Sequence, residues 1–431
     1  MNSRKTVIIS NDALVTEDYE YLCTKPLIRE LMAKGSWVKT LKTVYPSITY
    51  CCHASMITGC YPDRSGVRNN EVDEFGNKDW TWERKYIQTK TLVEAAKEAG
   101  KTVANVFWPV LGNDPNIDWN IPEYWSQTPD EPLTVALKRM GTSDKVIEEI
   151  VKPNLYYIEG HQRQHPYCDE FVFACARDMI LKYRPDLLIV HPAGIDGKRH
   201  ACGLFNEYVT EQLDYTYYWI EKIVRALKET GDWENTDFIL TSDHGQMNMI
   251  RRANPNLLLA ENGFMTPDEN GNVTAMKAYI KAVGASAQVF LTDKSEENRK
   301  AVEKLLTEAA KSNLYGFERC YTAAEAAAEE RLAGDFDFVL ESDGYTTFGP
   351  GITAPYFTPY DLTDYRLGKA THGYLPDRGP QPSMLCVGPS FREGVVLERK
   401  PTVDMAPTVA HINGWDLPCD GSPIFEILRE S

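Results

Sequence analysis

The sequence predicts an α/β/α sandwich with a central, mostly parallel β-sheet and one inserted subdomain. Short apolar runs alternate with longer amphipathic segments through the first two-thirds of the chain, which is typical of repeated βαβ units. The 431 residues are 43% hydrophobic and 25% charged, as in a globular protein with a large core. Polar residues follow several predicted strands, at the edge where parallel sheets gather their chemistry.

The core elements follow from these patterns in chain order. Short apolar runs predict strands at Val7–Ser10, Ser36–Val44, Thr102–Phe107, Asp186–His191, Asp237–Thr241 and Ser383–Val387. Amphipathic segments between them predict helices at Lys25–Ala33, Thr91–Ala99, Phe171–Tyr183 and Asn206–Thr230. Pro26 in a first turn and Gly100 after a last turn are typical helix-boundary residues.

The pattern of apolar and charged segments changes between residues 251 and 365. Charged, Ala-rich segments there predict helices at Ser295–Ser312 and Thr322–Arg331, and apolar runs predict strands at Val283–Leu291 and Asp335–Glu341. We interpret residues 251–365 as an inserted cap subdomain, and residues 1–250 and 366–431 as the core that carries it.

The composition restricts the possible partners. The formal charge is −16, which disfavours binding of a nucleic acid polymer through a basic surface. An anionic substrate would need local positive charge, most simply from metal ions. Apolar stretches fall short of the ~18 residues of a membrane span, so no membrane partner is expected. Without an evident export signal, the ten cysteines are expected to be reduced thiols in the cytoplasm. The oligomeric state stays open.

Five separated segments carry the residues expected to be chemically active. Together they supply three carboxylates, three imidazoles and one hydroxyl, a donor set that suits two adjacent zinc-like ions. A two-metal site can clamp the attacking and leaving oxygens of a phosphoryl transfer. The segments are Ile8–Asp12, Tyr45–Asn70, Ile195–His200, Thr241–Gly245 and Thr371–Tyr374.

With Phe107-Trp108-Pro109 and the tail Val403–Thr408, these segments resemble the alkaline phosphatase superfamily and, within it, the nucleotide pyrophosphatase/phosphodiesterase (type I phosphodiesterase) family. The resemblance covers nearly the whole chain, and its specificity comes from five motifs in the right order. It implies an alkaline-phosphatase-like fold, two divalent metal ions, and hydrolysis of phosphodiester or pyrophosphate bonds in small substrates through a covalent phospho-threonine intermediate.

The resemblance also implies a role for each matching residue. Thr49 is the nucleophile, Asn70 donates to a non-bridging phosphate oxygen, and Tyr50 is an aromatic residue that stacks on the substrate. The ligands of the metal that activates the nucleophile are Asp12, Thr49, Asp243 and His244. The ligands of the metal that activates the hydrolytic water are Asp196, His200 and His372.

Elementary chemistry supports these roles. A free threonine hydroxyl is a poor nucleophile, and metal coordination lowers its pKa. The apolar run after Thr49 predicts a helix start, where amide groups favour negative charge. Asp196 and His200 are four residues apart and share one face of a helical turn. The neutral donor Asn70 suits a diester, whereas phosphomonoesterases of the superfamily tend to use Arg at this place.

One decoy motif and two departures from the family pattern complicate this interpretation. Cys60-Tyr61-Pro62-Asp63-Arg64 spells a sulfatase signature, but the register of Thr58-Gly59 places Thr49 at the nucleophile position. Arg199 stands where the family's D-x-x-G-H motif has Gly, and Cys51-Cys52 stands where members often have Pro-Asn. Lys198 and Arg199 could reach the pocket and favour an extra anionic group of the substrate, but we interpret them as solvated charges beside a buried ligand turn. The histidines without a motif are expected to be structural: His53, His161, His165, His191 and His411.

Other activities stay open. The same residues suit a phosphonate hydrolase, such as one acting on phosphonoacetate, or a phosphomonoesterase. A non-catalytic metal-binding protein would lack a ligand or the nucleophile, and neither is missing. Mixed His/Asp ligation favours Zn²⁺ over other divalent ions.

Overall fold

An eight-stranded sheet forms the centre of the computed structural model, which describes residues 4–359, 361 and 368–430. In chain order the strands are β1 (Lys5–Ser10), β2 (Ser36–Lys42), β3 (Val103–Val106), β4 (Trp119–Ile121), β5 (Leu187–Val190), β6 (Thr236–Thr241), β7 (Met247–Asn248), β8 (Arg251–Ala253), β9 (Met265–Pro267), β10 (Val273–Met276), β11 (Ala278–Ala282), β12 (Ser286–Leu291), β13 (Phe317–Thr322), β14 (Phe338–Ser342), β15 (Thr346–Phe348), β16 (Phe357–Thr358), β17 (Ala370–Thr371), β18 (Met384–Val387) and β19 (Val396–Pro401).

The helices alternate with these strands through most of the core. They are α1 (Asp18–Leu22), α2 (Pro26–Lys34), α3 (Thr49–Thr58), α4 (Pro62–Ser65), α5 (Leu92–Glu98), α6 (Leu133–Arg139), α7 (Asp144–Val146), α8 (Lys152–Asn154), α9 (Tyr167–Tyr183), α10 (Gly194–Cys202), α11 (Glu207–Glu229), α12 (Pro255–Glu261), α13 (Glu296–Ser312), α14 (Ala323–Glu330) and α15 (Met405–Asn413). Among the described residues, no helix is both long and apolar enough to cross a membrane.

The central sheet has the order β19-β2-β18-β6-β1-β5-β3-β4. Each of its pairings is parallel except the two made by β18, which runs antiparallel to β2 and β6. Strand β1 lies in the middle, and Ile8 pairs with Ile189 of β5 and Ile239 of β6. The carboxyl ends of β1, β5 and β6 therefore meet at one edge of the sheet.

Apolar residues cover both faces of this sheet. Because strand side chains alternate, Val7 and Ile9 enter one buried cluster, which includes residues of α9 and α11. Ile8 enters a second cluster on the opposite face, with residues of α3, α5 and α15. These two helical layers confirm the predicted α/β/α sandwich.

A smaller antiparallel sheet lies within the segment interpreted as an insertion. Its order is β11-β12-β14-β13, and buried residues of α13, including Val302 and Leu306, pack in its apolar cluster. The predicted strand Val283–Leu291 proves to be β12 preceded by a hairpin turn from β11, in which Gly284 has φ +75°. The predicted boundary at residues 365 and 366 lies outside the described residues, and the domain division stays a prediction.

Candidate functional site

The candidate site lies at the carboxyl edge of the central sheet. Asp12 follows β1, Asp243 and His244 follow β6, and Asp196 lies on α10, which follows β5. Because β1 lies between β5 and β6, the chain turns that leave these strands converge on one place. His372 reaches the same place from the residue after β17.

Thr49 is the first residue of α3. The preceding residue, Ile48, is extended (φ −125°, ψ 145°), so the helix begins abruptly at Thr49. The Thr49 hydroxyl lies 3.2 Å from Nε2 of His244. The positive end of the helix dipole favours negative charge at this hydroxyl and at an anion beside it.

A first group of ligand-type side chains lies beside Thr49. It consists of Asp12, Asp243 and His244, whose donor atoms all lie within 4.8 Å of one another. Nε2 of His244 is 3.2 Å from Oδ2 of Asp243 and 3.5 Å from Oδ1 of Asp12. The N–H of Ala13 donates to the other Asp243 oxygen at 3.2 Å and orients this carboxylate.

A second group consists of Asp196, His200 and His372, also with donor atoms within 4.8 Å of one another. Nε2 of His200 is 3.1 Å from Asp196, because its Nδ1–H donates to the Ala370 carbonyl at 2.7 Å and turns the ring. The rings of His372 and His244 stack at 4.0 Å, so the two groups adjoin.

The hairpin turn between β11 and β12 supports His372. The N–H of Ala285 donates to the His372 carbonyl at 2.9 Å. A Cβ on Gly284 would lie 2.3 Å from the same carbonyl oxygen, so only glycine allows this approach. The turn between β11 and β12 thereby contributes to the position of a ligand-type residue in the core.

The electrostatics of the two groups fit divalent cations. Burial, followed by repulsion from Asp196 and Asp243, raises the pKa of Asp12 well above its ordinary value. Burial also raises the pKa of Asp243 and lowers that of His372 well below its ordinary value. Although burial opposes it, the imidazoles of His200 and His372 hold the pKa of Asp196 below its ordinary value.

Two buried carboxylate oxygens also support this fit. Among the described residues, Oδ1 of Asp12 and Oδ2 of Asp243 have no hydrogen-bond donor. Buried anionic oxygens without donors are costly, and cations would compensate them. Neutral imidazoles and carboxylates are the forms that bind metals, so the residues present fit the implied ions.

A third cluster, His53 with His191 and Asp243, is less suited to a metal. Both ring nitrogens of His53 are engaged, Nδ1 with the Thr49 carbonyl at 2.8 Å and Nε2 with the Ser10 hydroxyl at 2.9 Å. His53 instead supports the first turn of α3. The structural role that its lack of a motif suggests stays a prediction.

Asn70 lines the same cavity as Thr49. Its Oδ1 accepts the N–H of Tyr50 at 3.0 Å, which directs the amide NH₂ away from the helix. The Tyr50 ring is fully buried and meets Trp80 edge-on at 5.2 Å. Trp80, rather than Tyr50, forms the cavity wall at this place, so a direct contact of Tyr50 with substrate stays a prediction.

Comparison with known proteins gives the family. Residues 6–353 match the family described as type I phosphodiesterase / nucleotide pyrophosphatase. The chain belongs to this family. It is 24% identical over 241 residues to ectonucleotide pyrophosphatase/phosphodiesterase family member 1 of Mus musculus, covering 52% of this chain and 22% of that protein. It is 21% identical over 430 residues to the bis(5'-adenosyl)-triphosphatase of Bos taurus, covering 95% and 78%.

Solved structures give the same fold. Murine ectonucleotide pyrophosphatase/phosphodiesterase 5, as an inactive variant in complex with AMP, superposes with a TM-score of 0.68 at 16% identity, covering 99% of this chain and 100% of that one. The human protein of the same name gives a TM-score of 0.69 at 17% identity, with the same coverage. The chain spans only 22% of the mouse relative's length, so family membership and fold are what these similarities establish.

The cavity at the candidate site is also lined by residues to which the sequence analysis gave no role in it. A cavity of about 310 Å³ contains Thr49, and its walls include Trp80, Phe107, Glu123, Trp125, Arg163, His165 and His191. His191 was expected to be structural, yet its Nε2 lies 3.1 Å from Oδ2 of Asp12. Its position directly after β5 was a signal, because that edge also carries Asp12. The loop that contains Arg163 and His165 carries no comparable signal in the sequence.

The structure changes the interpretation of Arg199 and agrees with that of Cys60. Arg199 was interpreted as a solvated charge, but it is fully buried and lies 2.6 Å from Asp18. That interpretation is wrong because α10 packs its inner face on the turn after β1. The Cys60 thiol is buried, lies 3.7 Å from the Thr58 carbonyl and is not among the residues that line the cavity around Thr49.

Proposed function

We propose that the chain hydrolyses small phosphodiester or pyrophosphate compounds of the nucleotide type, with Thr49 as nucleophile. The observation that carries this proposal is the place of the Thr49 hydroxyl, at the start of α3 and 3.2 Å from His244, where the two ligand-type groups adjoin. Membership of the type I phosphodiesterase / nucleotide pyrophosphatase family supports the reaction class.

We propose two divalent cations, most simply Zn²⁺, as cofactors. Asp12, Thr49, Asp243 and His244 would hold one, and Asp196, His200 and His372 the other. When bound, such ions polarise phosphoryl oxygens and lower the pKa of hydroxyl groups. The buried, donor-free carboxylate oxygens of Asp12 and Asp243 support their presence.

The chain's own residues carry the two displacement steps. Thr49 Oγ attacks phosphorus, its proton passes to solvent, and the bond to the leaving oxygen breaks with the electron pair remaining on that oxygen. Water then attacks the phospho-threonine, Thr49 Oγ departs with its electron pair and regains a proton, and a phosphomonoester is released. The amide groups at the start of α3 and the Asn70 NH₂ stabilise charge on the non-bridging oxygens.

The names of the similar proteins support nucleotide substrates. One relative is a bis(5'-adenosyl)-triphosphatase, and one structural neighbour holds AMP. The aromatic walls Trp80, Phe107 and Trp125 would accept a planar base. Phosphonoacetate and phosphomonoesters are the competing substrates of the same chemistry, and the assay includes them.

The experiment compares bis-p-nitrophenyl phosphate, p-nitrophenyl phosphate, phosphonoacetate and bis(5'-adenosyl) triphosphate, using metal-stripped protein with and without added zinc. We expect zinc-dependent hydrolysis with a clear preference for the diester and the pyrophosphate compound. Thr49→Ala should lower turnover by about 10³-fold or more, and Thr49→Ser should retain a measurable part.

Thr58→Ala is the matched control, because Thr58 is buried in the same helix and bonds the Ala54 carbonyl, outside the cavity. It should keep nearly full turnover. Full turnover by Thr49→Ala would refute the nucleophile, and zinc-independent activity would refute the cofactor. A monoester or phosphonate preference would refute the proposed substrate class alone.

A further inference from the structure

Arg199 departs from the motif of the family and is buried beside the turn that follows β1. It lies on α10, which also carries Asp196 and His200. Its side chain is fully buried, and Nη2 is 2.6 Å from Oδ1 of Asp18, which is also buried. A buried ion pair is an uncommon feature beside a binding site, because both charges must be desolvated.

The second contact of Arg199 leads to the first group. Nη1 of Arg199 donates to the carbonyl of Ala13, the residue after Asp12. The N–H of Ala13 donates to Oδ1 of Asp243 at 3.2 Å. Ala13 therefore has one polar atom bound to a ligand-type residue of the first group and the other bound to the helix that carries the second group.

The turn that Arg199 holds is strained and well supported. Ala13 has φ +57°, which a residue with a Cβ adopts only when its surroundings impose it. Asp18 adds a further support, because its Oδ2 accepts the N–H of Val15 at 2.9 Å. The guanidinium thus fixes the turn from Asp12 to Asp18 against α10 at two points.

We propose that Arg199 is a positioning residue that couples the two ligand groups. It holds the turn that bears Asp12 against the helix that bears Asp196 and His200, so a cation that orders one group also orders the other. The inference rests on the proposed function, because it requires a divalent cation at each group. A second hydrogen bond also joins the two groups, because Gln246, close after His244 in sequence, donates from Nε2 to the Asp196 carbonyl at 3.2 Å. Loss of Arg199 should therefore weaken zinc binding without abolishing it.

Zinc titration of the metal-stripped full chain by calorimetry tests this proposal without any substrate. We compare the unsubstituted chain with Arg199→Met, which keeps the length of the side chain without its donors, and Asp18→Asn, which removes the counter-charge. The unsubstituted chain should bind two zinc ions. Arg199→Met should bind them about 10- to 100-fold more weakly, and Asp18→Asn should show a smaller loss in the same direction.

Asp237→Asn is the matched control. Asp237 is a buried carboxylate on β6 at the opposite edge of the sheet, and Ser390 donates to it at 2.7 Å. This substitution should lower the melting temperature and leave the zinc isotherm unchanged. The control separates a general loss of stability from a specific loss of zinc binding.

The outcomes distinguish the two proposals. Zinc binding by Arg199→Met equal to that of the unsubstituted chain would overturn the coupling and leave the proposed function intact. Absence of zinc binding in the unsubstituted chain would overturn both. If Arg199→Met fails to fold, Asp18→Asn decides, because an unchanged isotherm for that variant would also overturn the coupling.

Discussion

Asn70 presents a neutral donor to the cavity, and its lack of charge should govern which phosphate esters the site accepts. A diester carries one non-bridging charge, whereas a monoester dianion would favour a cationic partner. Asn70→Ala should lower kcat/KM for bis-p-nitrophenyl phosphate by about 10²-fold. Asn70→Arg should shift the ratio of monoester to diester turnover towards the monoester.

The neighbouring Asn69 provides the control for this prediction. It is buried, but its Oδ1 accepts the N–H of Glu71 and it does not line the cavity around Thr49. Asn69→Ala should leave the monoester to diester ratio unchanged. An unchanged ratio in Asn70→Arg would mean that this amide does not set the charge preference.

At the residue scale, sequence motifs located the candidate site but not its surroundings. Asp12, Thr49, Asp243 and His244 lie together because each follows, or is placed by, a parallel strand end, and that arrangement is readable from sequence. The burial of Arg199 was not readable, because its partner Asp18 is distant in sequence and has no motif. The catalytic and metal roles of the site residues stay predictions.

At the element scale, the short helix α10 depends on a carboxylate from its neighbour α9. Oδ1 of Asp169 accepts the N–H groups of Ala193 and Gly194, both at 2.9 Å, and so caps the helix that bears Asp196. Removing such a cap costs about 1–2 kcal/mol. We expect Asp169→Ala to lower the free energy of unfolding by about this amount, measured by urea titration, and to weaken zinc binding.

Asp178 on the same helix is the comparison residue for that prediction. It pairs with Arg177 and Asn154, away from α10. Asp178→Ala should affect stability without affecting zinc binding. Equal zinc affinity in Asp169→Ala and Asp178→Ala would show that the cap does not position the ligand helix.

The core elements were predictable because their patterns are strong, and the missed ones have physical reasons. Strand β19 reads Val-Leu-Glu-Arg-Lys-Pro and lies at the sheet edge beside β2. Edge strands carry charges and lack apolar alternation, so local pattern does not reveal them. Helix α9 begins at Tyr167 rather than at the predicted Phe171, because its first turn carries the acidic residues Asp169 and Glu170, which suit a helix start but interrupt the apolar pattern.

At the scale of the whole molecule, a buried acid joins the smaller sheet to the core. Glu341 of β14 accepts the Tyr45 hydroxyl at 2.9 Å and the N–H of Leu375 at 3.0 Å. Burial raises the pKa of Glu341 from 4.5 to about 8. The folded chain therefore keeps this proton between pH 4.5 and about 8, while the unfolded chain releases it.

The sign of the pH dependence follows from that difference. Because the folded state binds more protons in this window, its stability falls as pH rises, by up to about 1.4 kcal/mol per pH unit. Glu341→Gln should match the unsubstituted chain near pH 5 and exceed its stability near pH 8, measured by urea unfolding at both values. Glu393→Gln, which removes an exposed carboxylate 3.1 Å from Arg429, should leave the slope unchanged, and an identical slope in Glu341→Gln would contradict the prediction.

The crowding of carboxylates at one end of the sheet makes stability depend on metal for the whole molecule. Asp12, Asp196 and Glu123 line one cavity, and Asp243 lies beside Asp12, in a chain of charge −16. Burial raises the pKa of Glu123 to about 8. Zinc that binds only the folded state should stabilise it by about 2.7 kcal/mol at a hundredfold excess over Kd.

Asp243→Asn removes one buried charge and one predicted metal ligand. Its effect on the melting temperature should therefore have opposite signs without and with zinc. Thermal unfolding should show a higher Tm than the unsubstituted chain in a chelator and a lower Tm in zinc. A shift in the same direction under both conditions would mean that Asp243 contributes to the fold independently of a cation, because only a bound cation converts its repulsion into attraction.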